Sequence, residues 1–216
     1  MAWHVKDYTS GSSWGYSEGS QESTDNCLMI WSILGGLGWT ENAVSALCGN
    51  IQHESLMNPW LWQSGIKLAS TDYTGIHTQN GHAYGLCQWD PAAKYIDNGS
   101  SFTGYGPHYS DIVGNTNDGT AQMLYLNADG ASNWVIRGGH NMSFTQFKAS
   151  NDTVAYLAEV WLYNYEYPGN IQQQIPLRVS SAQHYYNIIH GTPPTPSGNL
   201  PKWLIGYASQ KWRRSL

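Results

Sequence analysis

Between Thr40 and Pro59 the apolar residues Val44, Leu47, Cys48 and Ile51 stand at offsets 0, 3, 4 and 7, the spacing of one helix face. Thr40 is a good N-cap, and the segment predicts a helix from Glu41 to about Met57. A strand cannot use such a stripe, because alternate residues of a strand point to opposite faces. The preceding apolar run, Cys27 to Gly38, is too short to span a bilayer and reads as a core helix beginning at Thr24 or Asp25 and ending at Gly35 and Gly36. Two adjacent core helices point to a mainly helical domain.

The stripe contains an anomaly. Glu54 falls three positions after Ile51 and seven after Leu47, beside the apolar face. It also lies near the negative end of the helix dipole. Both settings disfavour a charged carboxyl, and a carboxyl kept protonated is what a general acid needs to protonate a glycosidic oxygen.

The rest of the chain supplies further helices separated by loops. Residues 1–22 are rich in Ser, Gly and Tyr and predict an extended arm. Residues 58–84 carry no helical period and predict a long loop or small hairpin. Asp90 before Pro91 predicts a cap and a short helix through Ile96, and residues 99–118 a loop. Helical signals return at Thr120–Asn127, at the capping-box pair Ser143 and Gln146, and from Asn151 or Asp152 to Tyr167, ahead of Pro168. A last helix is expected over Leu177–His190, before a Pro-rich linker at 192–199 and an aromatic, basic tail at 200–216.

Composition narrows the function. Charged residues are only 12% of the chain and the net charge is −5, so there is no electrostatic footprint for nucleic acid. Eleven Trp and 15 Tyr suit sugar recognition, since aromatic faces stack on sugar rings. No membrane span and no secretory signal are visible. Three cysteines, Cys27, Cys48 and Cys87, lack zinc-site spacing; they are either buried free thiols or one disulfide with a thiol left over. With neither HExxH nor HxH present, no metal or other cofactor is expected.

The run Gly49-Asn50-Ile51-Gln52-His53-Glu54-Ser55, then Asn58-Pro59, then Tyr84-Gly85-Leu86-Cys87-Gln88-Trp89 resembles the phage tail-type lysozyme domain. More remotely it is similar to goose-type lysozymes and soluble lytic transglycosylases. Trp161 to Gly169 resembles the late-helix Tyr-Glu-x-Pro element of the tail-type domains, and Arg178, Ala182 and Tyr185 fit the helix after it. The resemblance covers residues 25–191 in order. It implies a lysozyme-like α+β fold over 23–191, a helical lobe and a small hairpin lobe flanking a cleft.

In that picture Glu54 is the catalytic acid, steadied by Ser55. Tyr84, Gln88 and Trp89 meet the sugar, and Tyr163 and Tyr165 approach the acid from below. Asp72 stands where lysozymes often carry a second carboxylate, while Asp90 is a cap. Glu166 is expected to pair with Arg178. The implied activity is muramidase-type cleavage of peptidoglycan by a tail-associated lysin. Its partners are the bacterial wall and other tail proteins, and its place is the virion, after synthesis in the host cytoplasm.

Three rivals stand beside it. A lytic transglycosylase would use the same Glu54 and the sugar's own hydroxyl. A peptidase or amidase would use Cys87 with His82, His108, His140 or His184 as base. A carbohydrate-binding tail module would need no acid at all.

Overall fold

The computed structural model describes residues 1–7, 13–63, 76–96, 112 and 115–192. Asp72, His108, the Pro-rich segment from residue 193 and the tail at 200–216 lie outside them. Six α-helices organise the described residues: α1 (Gln21–Gly36), α2 (Glu41–Ser55), α3 (Asp118–Asp129), α4 (Phe144–Ala149), α5 (Val154–Trp161) and α6 (Ile171–Ile189). The expected mainly helical architecture holds. Among the described residues the β component is two isolated antiparallel bridges, Trp62 with Tyr84 and Tyr84 with Trp89.

Helix α2 is the centre, packed against α6, α5 and α1. Every residue from Ala43 to Gln52 is buried, so the helix is enclosed on all sides and not only along its apolar stripe. Its polar residues survive there because each is bonded. Ser45 Oγ donates to the Glu41 carbonyl at 2.6 Å. Asn50 Nδ2 donates to the carbonyls of Ala46 and Ala158, at 2.9 and 3.2 Å. Gln52 Nε2 donates to the Tyr16 carbonyl, and its Oε1 accepts from the Tyr185 hydroxyl. A buried polar group without such partners costs roughly 1–3 kcal/mol.

Local signals set most boundaries. Thr40 caps α2 by accepting from the Ala43 N–H at 3.1 Å. Ser143 and Gln146 form the reciprocal capping box of α4. The longer helix ends at Tyr167, as the following proline demands, but its cap is Thr153.

Four expectations need correction. Helix α1 starts at Gln21, capped by Ser20, so Thr24 and Asp25 lie inside it. Helix α6 starts at Ile171 and runs through Pro176, where one backbone donor is lost without ending the helix. Asp90 caps no helix: its carboxylate accepts from the Gly81 N–H at 2.7 Å, and only a 3-10 turn, Ala92–Lys94, follows Pro91. Helix α3 starts at Asp118, inside the expected loop.

The N-terminal arm is held to the end of α2. Trp3 is 5% exposed and its indole donates to Thr120 Oγ1. Asn58, buried just past α2, accepts from the Lys6 N–H and donates to the carbonyls of Lys6 and Trp14. The Tyr16 N–H donates to the Leu56 carbonyl at 2.9 Å.

Candidate functional site

Glu54 occupies the last turn of α2, and what faces it is set by Gly49. A Cβ on Gly49 would sit 2.6 Å from both Cα and Cβ of Ala182, so α2 and α6 meet nearly backbone to backbone. That approach places Arg178 of α6 over the last turns of α2. Its Nη1 donates to the backbone carbonyl and to Oδ1 of Asn50, both at 3.2 Å, and its Nη2 donates to Glu54 Oε1 at 2.5 Å. The Arg178 side chain is 4% exposed and that of Glu54 20%. Arg178 Nε is buried with no acceptor among the described residues. The expected ion pair of Arg178 with Glu166 is therefore replaced by one with Glu54. The sequence placed Glu54 in an apolar, dipole-opposed setting; the structure adds a cation of opposite sign.

The flanking residues of the quoted run act on the helix. Ser55 Oγ donates back to the Ile51 carbonyl at 3.3 Å, which steadies the helix end. His53 Nε2 lies 3.0 Å from Ser181 Oγ of α6. Burial, then the nearby Arg178 charge, holds the His53 imidazole below its ordinary value.

A second carboxyl belongs to the site. After Trp161, α5 continues as a π turn, Leu162–Glu166, closed by the Tyr167 N–H donating to the Leu162 carbonyl at 2.7 Å. In an α-helix, residues five apart point about 140° away from each other. The wider π turn brings them together, and Trp161 Nε1 donates to Glu166 Oε1 at 2.9 Å. Burial, then the charge of Glu54, pushes the Glu166 carboxyl up to about 8, against the opposing pull of Arg178, the Trp161 bond and Lys94. Glu54 and Arg178 thus both act on the Glu166 carboxyl through their charges, in opposite senses. Sequence reading named Glu166 only as an ion-pair partner; its signal was the Trp–Glu spacing of five, which has no meaning until the π turn is known.

The aromatic candidates build the wall behind these carboxyls. Tyr84 is fully buried, and its hydroxyl donates to Asp118 Oδ2 at 2.8 Å. Trp89 is 3% exposed, stacks on Tyr95, and donates from Nε1 to the Tyr165 hydroxyl at 2.9 Å. Neither ring has an open face for a sugar. Gln88 directs its Nε2 to the carbonyls of Leu61 and Gly85, at 3.0 and 2.8 Å, and so locks the turn. Tyr165 stacks on Trp161 at 4.4 Å and joins the Gly85–Trp89 turn to the π turn. Tyr163 belongs to a different cluster: its ring stacks on His140 and its hydroxyl accepts from Gln172.

The turn is also pinned from behind by residues the sequence did not flag. Asp118 accepts from Tyr84, Tyr95 and Gln122, and Gln122 Oε1 accepts from the Leu86 N–H at 2.7 Å. Burial raises the Asp118 carboxyl above its ordinary value even though all three bonds oppose the shift.

Backbone conformation marks the same place. Among the described residues the non-glycine positions with left-handed φ are Leu56, Met57, Gln88 and Tyr167. They follow Glu54, lie in the Gly85–Trp89 turn, or follow Glu166. Such conformations cost about 1–3 kcal/mol each and cluster where side chains must be held for chemistry.

Other chemistries find less here. All three cysteines are free and buried, as one of the two sequence readings held. The Cys87 thiol is pushed well up by burial, then by the charges of Glu166 and Glu54, the reverse of what a nucleophile needs. His140, one candidate base, is stacked between Tyr156 and Tyr163. Among the described residues no group of His, Cys, Asp and Glu is arranged to hold a metal ion, and no helix is long and apolar enough to cross a membrane.

A helical domain whose central helix ends on a guarded carboxyl is the architecture of a lysozyme-like fold. The chain belongs to the phage tail lysozyme family, whose sequence pattern matches residues 25–189. It is similar to morphogenesis protein 1 of Bacillus phage B103, 29% identical over 171 residues that cover 79% of this chain and 41% of that protein. The chain spans about two-fifths of the length of that relative.

Proposed function

We propose that the domain cleaves the glycan strands of peptidoglycan, with Glu54 as general acid, and that it serves a phage tail in opening the cell wall. The observation that carries the reading is the placement of Glu54. It is a partly exposed carboxyl at the end of a buried helix, fixed by Arg178, and the helix stops just after it at two left-handed residues, Leu56 and Met57. Family membership and the likeness to a phage morphogenesis protein support the wall as substrate and the tail as setting.

In this reaction Glu54 gives its proton to the glycosidic oxygen as the C–O bond breaks. Water adds to the anomeric carbon, and its proton returns to Glu54, which makes the reaction a hydrolysis. Gln88, Trp89 and Tyr165 act from behind by fixing the turn and the π turn against each other. Asp72 remains the candidate for a carboxylate across the sugar ring.

The test is Glu54→Gln on purified wall. It should abolish fragment release while wall binding persists, and full activity in this variant would overturn the assignment. Reducing ends in the released fragments support hydrolysis; anhydro-muramic ends would mean that a sugar hydroxyl replaces water.

A further inference from the structure

We infer that Arg137 and Tyr167 form an accessory subsite that reads the peptide stems of peptidoglycan: the Tyr167 ring takes a sugar face, and the Arg137 guanidinium takes a stem carboxylate. The inference deepens the proposed glycan cleavage and rests on it for the identity of the ligand.

Tyr167 closes the π turn with φ at 47°, a cap position that glycine or asparagine fills at lower cost. A tyrosine there strains the backbone, and at 56% exposure the burial of its ring returns little. What the ring does have is a cation. Arg137 Cζ lies over it, 4.5 Å from the ring centroid. The strap that carries Arg137 is anchored by a fully buried residue of the π turn, Asn164. Its Oδ1 accepts from the Arg137 N–H at 2.8 Å, its Nδ2 donates to the His140 carbonyl at 2.9 Å, and its backbone carbonyl accepts from the Val135 N–H at 2.9 Å. Gly138 lets the strap lie against Tyr163, since a Cβ there would meet that ring at 2.5 Å. The fold thus fixes both the arginine and the ring it covers.

Among the described residues Arg137 has no carboxylate partner, and its guanidinium makes one long hydrogen bond, from Nη1 to the Tyr163 carbonyl at 3.4 Å. An exposed aromatic ring beside an unneutralised guanidinium suits a ligand that offers a sugar face and a carboxylate together. A neutral glycan would need no arginine, and a simple anion would need no ring. Peptidoglycan supplies both, because its amino-sugar strand carries peptide stems with free carboxylates. The position suits a unit beyond the bond that is cut. Tyr167 stands four residues before the start of α6, and Arg178, which holds Glu54, lies seven residues after that start, about 10 Å along the helix axis. Gln173 and Leu177, exposed and one turn apart, give α6 an open face over that length. The pair therefore selects substrate without touching the reacting atoms.

The experiment compares one wall preparation in two forms: solubilised peptidoglycan strands with their peptide stems, and the same strands stripped of stems by an amidase. The wild-type chain should cleave the intact strands with a KM about fivefold or more below that for the stripped ones, with kcat little different. In Arg137→Gln that advantage should disappear, and Arg137→Lys should recover part of it. Tyr167→Gly removes the ring and relieves the left-handed φ, so its Tm should hold while its KM rises on both forms. A wild-type chain without the advantage, an Arg137→Gln chain that keeps it, or a Tyr167→Gly chain with the wild-type KM would overturn the inference. A wild-type chain that releases no fragments from either form defeats the proposed function instead. Sedimentation of the wild type and Arg137→Gln with intact and stripped wall then still decides whether the stems are read.

Discussion

Gly49 and Ala182 touch so closely that the glycine hydrogen occupies the only space between the two helix backbones: any Cβ there would meet Ala182 Cα at 2.6 Å. The contact sets the distance between Glu54 and Arg178, which lie five residues and four residues further along and back on their helices. Gly49→Ala should therefore force α2 and α6 apart and destabilise the domain by about 1–3 kcal/mol. Denaturant unfolding measures the loss, and wall-fragment release should fall further than the loss of folded protein explains.

Asp118 is the acceptor on which the wall behind the site converges. Asp118→Ala would leave the Tyr84 and Tyr95 hydroxyls without that oxygen and free one donor of Gln122, which also bonds the Pro59 carbonyl. The expected cost is roughly 2–4 kcal/mol, read as a lowered midpoint in denaturant. A change below about 0.5 kcal/mol would mean that water replaces the carboxylate without penalty.

Folding stability should depend on pH through Glu166. Its carboxyl is raised from an ordinary 4.5 to about 8 in the folded chain, so its contribution is complete below 4.5 and lost as pH rises through about 8. Thermal unfolding of the wild type should show a Tm that declines as pH rises from about 5 to about 8 and levels off above that. Glu166→Gln, which cannot ionise, should flatten that decline.

Cys87 should be chemically silent. At 2% exposure and with its thiol raised by burial, it should resist alkylation in the native state and react only after unfolding. Cys87→Ala should keep its wall-lytic activity, at a stability cost of about 1–2 kcal/mol for the lost packing. Loss of activity without loss of fold would favour the thiol chemistry instead.

Sequence alone carried the parts of this fold that are written locally. The stripe of α2, its Thr40 cap and the capping box at Ser143 are interactions between residues a few positions apart, and the structure keeps all of them. The start of α1 was misplaced because QESTDN looks like a loop. Asn26 of that run is buried only because it accepts from the His4 N–H and donates to the carbonyls of His4 and Met57. The start of α6 was hidden by Pro176, whose missing donor one helix of 19 residues tolerates.

The site divides the same way. Glu54 was legible as a charge in an apolar place. Its partner was not, because the choice of Arg178 between Glu54 and Glu166 depends on the approach of two helices at Gly49. Tyr84 and Trp89 were expected as sugar contacts from the resemblance of the Tyr84–Trp89 motif, and a motif does not say which aromatic rings the tertiary structure buries.

The arm at the start of the chain carries a practical lesson. The family match begins at residue 25, yet Trp3 is buried and the backbone of Lys6, Trp14 and Tyr16 is bonded to residues that follow Glu54. A minimal domain cut where similarity starts would strip a splint from the end of the helix that carries the acid. Anyone trimming this module for use on another carrier should fuse upstream of Trp3, because its mechanical edge and its recognisable edge lie in different places.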